Sequence, residues 1–202
     1  MNNFIEKIES SFRESKLPSW ILRLDGFSGR LYREFINNLV ESVEDARYLE
    51  IGCWKGSTSC SAIYGNTVQA CLVDNWSEFG GPRDEFLSNI ESVHCSTVDI
   101  KESDFRDLDY TSLGKYNIYF FDGPHTEQDQ YDGLFLAQDA LDEEYIFICD
   151  DWNWEQVRQG TERAILELGL EVLYKKEIQG IGGGGADSEW HNGYLISVLK
   201  KK

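Results

Sequence analysis

Residues 48–59 read YLEIGCWKGSTS, a stretch in which an apolar run ends abruptly in a carboxylate and a glycine-rich turn. An apolar run of this length is typical of a buried β-strand, and the residues after Gly56 begin a helical period. Glycine at positions 52 and 56 permits turn torsions that a β-carbon would forbid, and it lets the backbone approach a ligand closely. The stretch therefore predicts a strand, a binding turn and a helix in succession.

The same alternation continues along the chain. Seven strands are predicted from apolar runs rich in β-branched and aromatic residues, at 47–51, 69–73, 92–98, 116–121, 145–149, 170–175 and 194–199. Six helices are predicted from apolar residues at helical spacing, at 3–15, 29–43, 57–64, 83–91, 126–141 and 154–168. This alternation predicts a parallel sheet that is covered by helices on both faces.

The last two predicted strands break the alternation, because residues 177–193 (EIQGIGGGGADSEWHNG) contain no helical period. Strands joined without a crossover helix are antiparallel, so the sheet should end in a hairpin. The glycines at 182–185 are interpreted as a flexible loop, with a lid over a bound substrate as the alternative.

Composition and charge restrict the class of protein. The chain has 202 residues, of which 41% are apolar, and one domain is expected over 1–202, with a helical cap at 1–45 and a core at 46–202. The formal charge of −17 disfavours nucleic acid and anionic membranes as partners. The acidic N-terminus lacks a signal-peptide pattern, and the five cysteines form no CxxC pair, so a cytoplasmic protein with reduced thiols is expected.

The spacing of the glycines separates the turn at 52–56 from two nucleotide-binding motifs. A G-x-G-x-x-G fingerprint needs a third glycine, and a phosphate-binding loop needs a lysine directly after its second glycine, where this chain has Ser57. Glu50 would repel a pyrophosphate and suits a ligand with a cationic end. The alternative interpretation is a solvated carboxylate followed by an ordinary turn.

Acidic residues also follow the next two predicted strands. The second strand ends in CLVDNW (residues 71–76), where Asp74 could accept hydrogen bonds from two ribose hydroxyls, and the third leads into Asp99. A glutamate, glycines and a ribose-type aspartate in this order, without a phosphate site, resemble the class I S-adenosylmethionine-dependent methyltransferases. The resemblance covers residues 47–199. It implies a Rossmann-like α/β fold with strand order 3-2-1-4-5-7-6 and an antiparallel last strand.

The resemblance also implies a set of cofactor-binding residues at and after the strand ends. For S-adenosylmethionine the set is Glu50, Gly52, Cys53, Gly56, Ser57, Asp74, Asn75, Trp76, Asp99 and Asp122.

The fourth and fifth predicted strands end in YFFDGPHTEQDQ (119–130) and in DDWNWEQ (150–156). In that strand order these strands are neighbours, about 4.8 Å apart, so Asp122, Asp150 and Asp151 should converge. Two carboxylates at about 5 Å repel by roughly 3 kcal/mol at an effective dielectric of 20, so the group needs protonation, solvent or a cation. A set of oxygen ligands alone favours Mg²⁺ first, then Mn²⁺ or Ca²⁺.

The D-x-x-H pattern at 122–125, followed by the acidic pair, is similar to metal-dependent small-molecule O-methyltransferases of the methyltransferase family 24 type. That branch contains macrocin and macrolide-sugar O-methyltransferases and cephalosporin-hydroxylase-like proteins. The resemblance implies that Asp122, Asp150 and Asp151 hold the metal and that His125, with Asp122, is catalytic as the general base. It further implies a hydroxyl acceptor on a sugar or natural product, and a homo-oligomer is possible.

Other interpretations remain open from the residues alone. His125 could cap the helix that begins near Thr126, and the acidic pair at 150–151 could cap the next helix. The other two histidines, His94 and His191, lack an acidic strand-end partner in the sequence and are interpreted as structural. Trp76, Trp152 and Trp154 either wall a binding pocket or pack in the core. The alternative functions are a dinucleotide-dependent oxidoreductase or hydroxylase-like protein, and a non-catalytic S-adenosylmethionine-binding protein.

Overall fold

A seven-stranded sheet with helices on both faces organises the computed structural model, which describes residues 3–93, 97–181 and 189–202. The strands are β1 Arg47–Ile51, β2 Gln69–Asp74, β3 Val98–Glu102, β4 Tyr116–Phe121, β5 Leu141–Cys149, β6 Glu171–Ile178 and β7 Tyr194–Lys200. The helices are α1 Phe4–Ser10, α2 Ser19–Leu22, α3 Arg30–Ser42, α4 Ser57–Ile63, α5 Arg83–Ser92, α6 Glu127–Leu136 and α7 Glu155–Glu167. Two 3₁₀ turns lie at Tyr110–Ser112 and Ala137–Ala140.

The strand order is β3-β2-β1-β4-β5-β7-β6, and β7 is antiparallel to both of its neighbours. This confirms the predicted order and the predicted antiparallel last strand. In the central register, Ile51 pairs with Phe121 and Phe121 pairs with Cys149. The residues that follow these three strands therefore lie level with one another at one edge of the sheet.

Alternate residues of each central strand enter two separate hydrophobic cores. Tyr48 of β1 faces the core formed with α1 to α5, whereas Leu49 faces the core formed with α6 and α7. Both residues are fully buried, as expected for a parallel sheet covered on each side. The four described cysteines are free and buried: Cys53, Cys60, Cys71 and Cys149.

The third predicted strand, 92–98, was wrong. Residue 92 ends α5, Val93 packs into the core below that helix, and the strand runs instead from Val98 to Glu102. The period-2 alternation lies in this later segment, because Val98 and Ile100 pack against the core while Asp99 points outward. The apolar residue at the helix end was misinterpreted as strand.

The short helix α2, Ser19–Leu22, was not predicted, and other differences are at element ends. The predicted helix at 126–141 ends at Leu136, a 3₁₀ turn follows it, and β5 begins at Leu141. The helix predicted at 3–15 is shorter, Phe4–Ser10. The glycines at 182–185, predicted as a loop or lid, lie outside the described residues, as does His94.

The N-terminal helices cover the sheet face next to α4. Asn37 of α3 donates hydrogen bonds to the carbonyl oxygens of Ser61 (2.8 Å) and Tyr64 (2.9 Å), which fixes α3 against α4. The turn before α3 brings Phe27 to the carboxyl edge of the sheet. Within the described ranges, no helix combines the length and the apolar character that a bilayer span requires.

Candidate active site

Three strands deliver their following residues to one place. The backbone N–H of Asp122 donates to the carbonyl oxygen of Ile51 (2.9 Å), and that of Asp150 donates to the carbonyl oxygen of Phe121 (3.2 Å). These bonds continue the ladder one residue past the strands, so that the acidic residues after β4 and β5 are neighbours. The structure thus brings Asp122, Asp150 and Asp151 together as the sequence predicts.

Asp122, His125 and Asp151 form a group whose potential ligand atoms all lie within 4.8 Å of one another. The Nε2 atom of His125 is 2.6 Å from Oδ2 of Asp151. The side chain of Asp151 is buried, and that of His125 is 30% exposed to solvent. This donor set differs from the predicted set, because it includes an imidazole.

Asp150 lines the same cavity, but one oxygen of its carboxylate is engaged locally. Its Oδ1 accepts a hydrogen bond from the backbone N–H of Asp151 at 2.7 Å. The side chain of Asp151 is held from the other side, since Nδ2 of Asn192 donates to its Oδ1 at 2.6 Å. Asp151 is thereby fixed between Asn192 and His125.

Electrostatic repulsion within the group is large. Burial and the charges of Asp150 and Asp151 raise the pKa of Asp122 well above its usual range. Burial and the charge of Asp151 likewise raise the pKa of Asp150. Clustered buried carboxylates of this kind either bind protons or bind a cation. Two carboxylates and an imidazole within 4.8 Å therefore fit a divalent metal ion chemically.

The capping alternatives are wrong. The N-cap of α6 is Thr126, whose side chain and that of Asp129 form a reciprocal capping box, so His125 does not cap this helix. The N-cap of α7 is Trp154, which makes no side-chain capping bond, so neither acidic residue before it caps α7. His125, Asp150 and Asp151 therefore do not act as helix caps.

A cavity of about 480 Å³ opens beside the Asp122–His125–Asp151 group, which is large enough for a cofactor-sized ligand. It is lined by residues from every loop at the carboxyl edge of the sheet. Among them are Phe27, Gly52, Trp54, Asp74, Asn75, Trp76, Phe79, Ser103, Asp104, Phe105, Arg106, Asp122, Pro124, His125, Asp150, Asp151, Trp154, His191 and Asn192.

Left-handed backbone is concentrated on this cavity. Of the six non-glycine residues with positive φ in the described ranges, five line it: Trp54 (45°), Trp76 (47°), Phe79 (49°), Asp151 (54°) and His191 (40°). Such conformations cost on the order of 1–3 kcal/mol each and persist where the surrounding structure enforces them. Their concentration at one place is typical of a functional site.

The glycine-rich turn is shaped by Asp74. Its Oδ2 accepts hydrogen bonds from the backbone N–H groups of Cys53 (2.7 Å) and Trp54 (2.8 Å), and its Oδ1 accepts from that of Trp76 (2.6 Å). A carboxylate has about four acceptor positions, so Asp74 retains capacity for a ligand at the cavity wall. Gly52 has φ of 88°, and a β-carbon there would lie 1.9 Å from the carbonyl oxygen of Asp122.

Gly56 and Ser57 lie behind the turn. Gly56 is the N-cap of α4 with φ of 80°, and a β-carbon there would meet the ring of Phe86 at 2.9 Å. The hydroxyl of Ser57 is buried 3.2 Å from that of Ser28. Neither residue lines the cavity, so their predicted cofactor contacts have no counterpart in this geometry.

Glu50 is also behind the cavity wall. Its carboxylate accepts hydrogen bonds from the hydroxyls of Tyr48 (2.8 Å) and Ser59 (2.8 Å), and it is fully buried. Burial raises the pKa of Glu50 to about 8. The structure therefore does not place Glu50 in contact with the cavity, and its predicted binding of a cationic ligand end would be indirect.

Asp99 lies apart from the cavity because β3 begins later than predicted. It is the second residue of that strand, its side chain is 57% exposed, and Oδ2 is 2.9 Å from Nζ of Lys101. The loop that follows β3 instead places Asp104 on the cavity, where its Oδ2 accepts a hydrogen bond from Nδ2 of Asn75 (3.2 Å). After β3, the acidic residue that lines the cavity is thus Asp104 rather than Asp99.

The three tryptophans differ in role. Trp152 is fully buried in the core, so for this residue the packing interpretation is confirmed. Trp154 lines the cavity with its ring 5.0 Å from that of His125. Trp76 lines the cavity and also packs on Phe86 at a centroid distance of 5.0 Å.

Sequence reasoning missed His191 and Asn192, and it expected His191 to lack an acidic neighbour. In the structure burial lowers the pKa of His191, and the charge of Asp151 opposes that shift. A signal was present, because β7 is antiparallel and so begins at the edge where the parallel strands end. The sequence WHNG (190–193), which precedes β7, therefore lies at the same edge of the sheet as Asp151. Phe27 and Phe79 had no comparable signal.

No protein-family model matches the chain, and no curated protein matches it. Solved structures do. An O-methyltransferase from Bacillus cereus in complex with SAH is 15% identical with a TM-score of 0.64, over 98% of this chain and 90% of that one. Precorrin 8w decarboxylase from Methanobacterium thermoautotrophicum is 16% identical with a TM-score of 0.61, over 96% and 98%.

TrmN from Thermus thermophilus is 14% identical with a TM-score of 0.63, over 90% of this chain and 52% of that one. The chain thus spans about half the length of TrmN. At these identities the likeness shows the fold. The strand order and the neighbours together show that the chain has the Rossmann-like class I methyltransferase fold.

Proposed function

We propose that the protein is an S-adenosylmethionine-dependent O-methyltransferase that uses a divalent metal ion and methylates a hydroxyl of a small molecule. The observation that carries the proposal is the convergence of Asp122, His125 and Asp151 on a cavity at the carboxyl edge of the sheet. Ligands of doubly wound folds bind at this edge. The SAH in the Bacillus cereus neighbour supports the choice of cofactor.

The cofactor end of the cavity is formed by Gly52, Asp74 and Asp104, which follow β1, β2 and β3. Gly52 offers close backbone approach, while Asp74 and Asp104 offer carboxylate oxygens that suit ribose hydroxyls. The cationic side chain on this wall is Arg106, which is ion-paired with Asp129 and Asp132. A wall of acceptors with a neutralised arginine suits a sulfonium nucleoside better than a dinucleotide pyrophosphate.

Asp122, His125 and Asp151 would hold the metal ion. Carboxylates suit Mg²⁺, Mn²⁺ and Ca²⁺, but an imidazole ligand favours a softer ion than Mg²⁺ or Ca²⁺. We therefore place Mn²⁺ ahead of Mg²⁺, in contrast to the order expected from oxygen ligands alone. A divalent ion bound there would lower the pKa of an acceptor hydroxyl.

His125 could play either of two chemical roles. Its Nε2 atom cannot both ligate a metal ion and hydrogen-bond to Asp151, so the two roles are alternatives. With Nε2 facing Asp151, the imidazole can ligate the ion, or it can be held by Asp151 as the base that accepts the hydroxyl proton. The proposal takes the first role, and the sequence resemblance implies the second. In either case the O–CH₃ bond forms as the S–CH₃ bond breaks and SAH leaves; the hydroxyl proton passes to solvent water in the first role and to His125 in the second.

The test is methyl transfer from S-adenosylmethionine to a panel of small hydroxyl compounds, measured as SAH release by mass spectrometry. We expect turnover with Mn²⁺ or Mg²⁺ and loss of turnover with EDTA. Calorimetry should show SAH binding and no NAD binding; NAD binding without SAH binding would overturn the proposal. SAH binding with no turnover on any acceptor would favour a non-catalytic binder. The cytoplasmic location, the homo-oligomer and the exclusion of nucleic acid stay predictions.

A further inference from the structure

Three aromatic side chains form one side of the cavity mouth. They are Phe27 from the turn before α3, Trp54 from the turn after β1 and Phe79 from the loop after β2. The rings of Phe27 and Trp54 stack at a centroid distance of 4.5 Å, and Phe27 meets Phe79 edge-on at 5.8 Å. We call these three residues the aromatic wall.

The aromatic wall is unusually open to solvent for apolar rings. Phe27 is 45% exposed and Phe79 is 65% exposed, although both have aromatic neighbours. Trp54 and Phe79 also have positive φ, a backbone conformation that residues other than glycine seldom adopt. Strained backbone that presents exposed apolar rings to a cavity is typical of a binding surface.

Polar contacts hold the aromatic wall in place. Nε1 of Trp54 donates to the carbonyl oxygen of Phe79 at 3.3 Å. The buried guanidinium of Arg33 donates to the carbonyl oxygens of Leu24 (2.8 Å) and Ser28 (3.1 Å), on either side of Phe27. The wall is thus pre-organised, which reduces the entropic cost of binding.

The aromatic wall adjoins the reacting group. The ring of Phe27 is 6.3 Å from that of His191, and the next residue, Asn192, donates a hydrogen bond to Asp151. His191 and Asn192 thus link the aromatic wall to Asp151. A flat molecule against the wall could present a substituent to the Asp122–His125–Asp151 group.

The charges of the cavity select against anions. Six carboxylates line it: Asp74, Glu78, Asp104, Asp122, Asp150 and Asp151. Arg106, the cationic residue among the described lining, is neutralised by Asp129 and Asp132. A phosphate or carboxylate on the acceptor would meet repulsion that a bound divalent ion offsets only in part.

We propose that the aromatic wall is the acceptor subsite, and that the acceptor carries its reacting hydroxyl on a planar apolar ring without an anionic group. The assignment rests on the proposed methyltransferase function and adds the class of acceptor to it. Planar rings gain stacking with Phe27 and Phe79 that a saturated ring of the same size does not.

Three matched probes test the subsite by calorimetry on protein saturated with SAH and Mn²⁺: 2-naphthol, decahydro-2-naphthol and 6-hydroxynaphthalene-2-sulfonate. They share a hydroxyl on two fused six-membered rings; the first two differ in planarity and in hydroxyl acidity, which the Phe→Ala variants separate, and the third adds an anionic group. We expect 2-naphthol to bind about tenfold more tightly than either of the others. Equal affinity for all three would overturn the proposal.

Phe27→Ala and Phe79→Ala should each weaken 2-naphthol binding about tenfold and leave SAH affinity unchanged. The matched control is Phe135→Ala, which removes a ring that is 41% exposed and stacked on Tyr131, outside the cavity. It should change neither affinity. Phe27→Tyr, which retains the ring, should bind 2-naphthol within about twofold of wild type.

The outcomes separate the subsite from the proposed function. Loss of SAH affinity in a folded Phe27→Ala variant would show that the wall binds the cofactor and would overturn the subsite. Methyl transfer to other hydroxyl compounds, without selective 2-naphthol binding, would keep the function and overturn the subsite. Selective 2-naphthol binding, with no methyl transfer to any compound, would support the wall as a ring-binding site and contradict the proposed function.

Discussion

The Nε2 atom of His125 lies 2.6 Å from Oδ2 of Asp151, although the two residues follow different strands of the sheet. The register of β4 and β5 produces this contact, because Phe121 and Cys149, the last residues of the two strands, pair with each other. The opposite oxygen of Asp151 accepts from Asn192. One carboxylate thus connects three loops at the site of proposed chemistry.

Asp151→Asn should weaken Mn²⁺ binding on the order of 100-fold, because it removes a charged ligand from the centre of the group. SAH affinity should not change, and methyl transfer should fall in parallel with metal occupancy. Isothermal titration with Mn²⁺ gives the first quantity. The matched control, Asp99→Asn, alters an exposed aspartate outside the cavity and should bind Mn²⁺ as wild type does. Equal Mn²⁺ affinity in the two variants would remove Asp151 from the metal site.

His125→Gln separates the two roles of the imidazole. If His125 is a ligand, as proposed, Mn²⁺ affinity and kcat should both fall, and the loss of affinity should be about tenfold or more. If it serves only as the base, kcat should fall by about 10²–10⁴-fold at unchanged Mn²⁺ affinity. Rates measured at saturating Mn²⁺, alongside the titration, decide between the roles.

Gly52→Ala should destabilise the protein by about 1–3 kcal/mol more than Gly114→Ala. Both glycines have positive φ, 88° and 92°, so both variants pay a similar torsional cost. Only at Gly52 does the added carbon meet backbone, 1.9 Å from the carbonyl oxygen of Asp122; at Gly114 no heavy atom is within 4 Å. Urea denaturation of the two variants measures the difference, and equal losses would be inconsistent with a tight contact between the two strand ends.

Glu50→Gln should change how stability depends on pH. Burial raises the pKa of Glu50 from 4.5 to about 8, so the folded state favours the neutral carboxyl. The stability that this group contributes is complete below pH 4.5 and is lost as pH rises towards 8. Relative to wild type, the free energy of unfolding of Glu50→Gln should therefore increase by about 4 kcal/mol across that range.

Denaturation of wild type and Glu50→Gln at matched pH values tests this. A stability difference that does not depend on pH would mean that Glu50 titrates normally in the folded protein. The comparison cancels the contributions of other titrating groups, provided that they are unaffected by the substitution.

Asp104→Asn should weaken SAH binding about tenfold, whereas Asp99→Asn should leave it unchanged. Asp104 lines the cavity beside Asn75, and Asp99 pairs with Lys101 on the outer part of β3. Calorimetric titration with SAH distinguishes them. The reverse result would restore the cofactor-binding role that the sequence assigned to Asp99.

The sequence was sufficient for the sheet order and for the convergence of Asp122, Asp150 and Asp151. The order is what the resemblance to the class I methyltransferases implies, and the convergence follows from that order together with carboxylates directly after apolar runs. The predicted position of β3 was wrong because β3 is an edge strand with one buried face. Its apolar pattern is weaker than the apolar signal of Val93 at the end of α5. The assignment of Asp99 failed with it.

The aromatic wall could not be predicted, because its members are brought together by tertiary contacts. The turn that carries Phe27 is held by hydrogen bonds that Arg33 of α3 donates to the carbonyl oxygens of Leu24 and Ser28, and Phe79 lies in a loop with left-handed backbone. Glu50 was misjudged for a different reason. Its partner Ser59 lies in the first turn of α4, and nothing in a strand-end pattern shows that a carboxylate will turn inward to it.

The most direct test of the metal site is a crystal structure of the protein with Mn²⁺ and SAH, with anomalous scattering used to locate the manganese. The account predicts one anomalous peak within about 2.5 Å of a ligand atom on each of Asp122, His125 and Asp151, with SAH in the adjoining cavity. A fully loaded crystal with SAH bound, the Nε2 of His125 still on Asp151 and no manganese between them would contradict it.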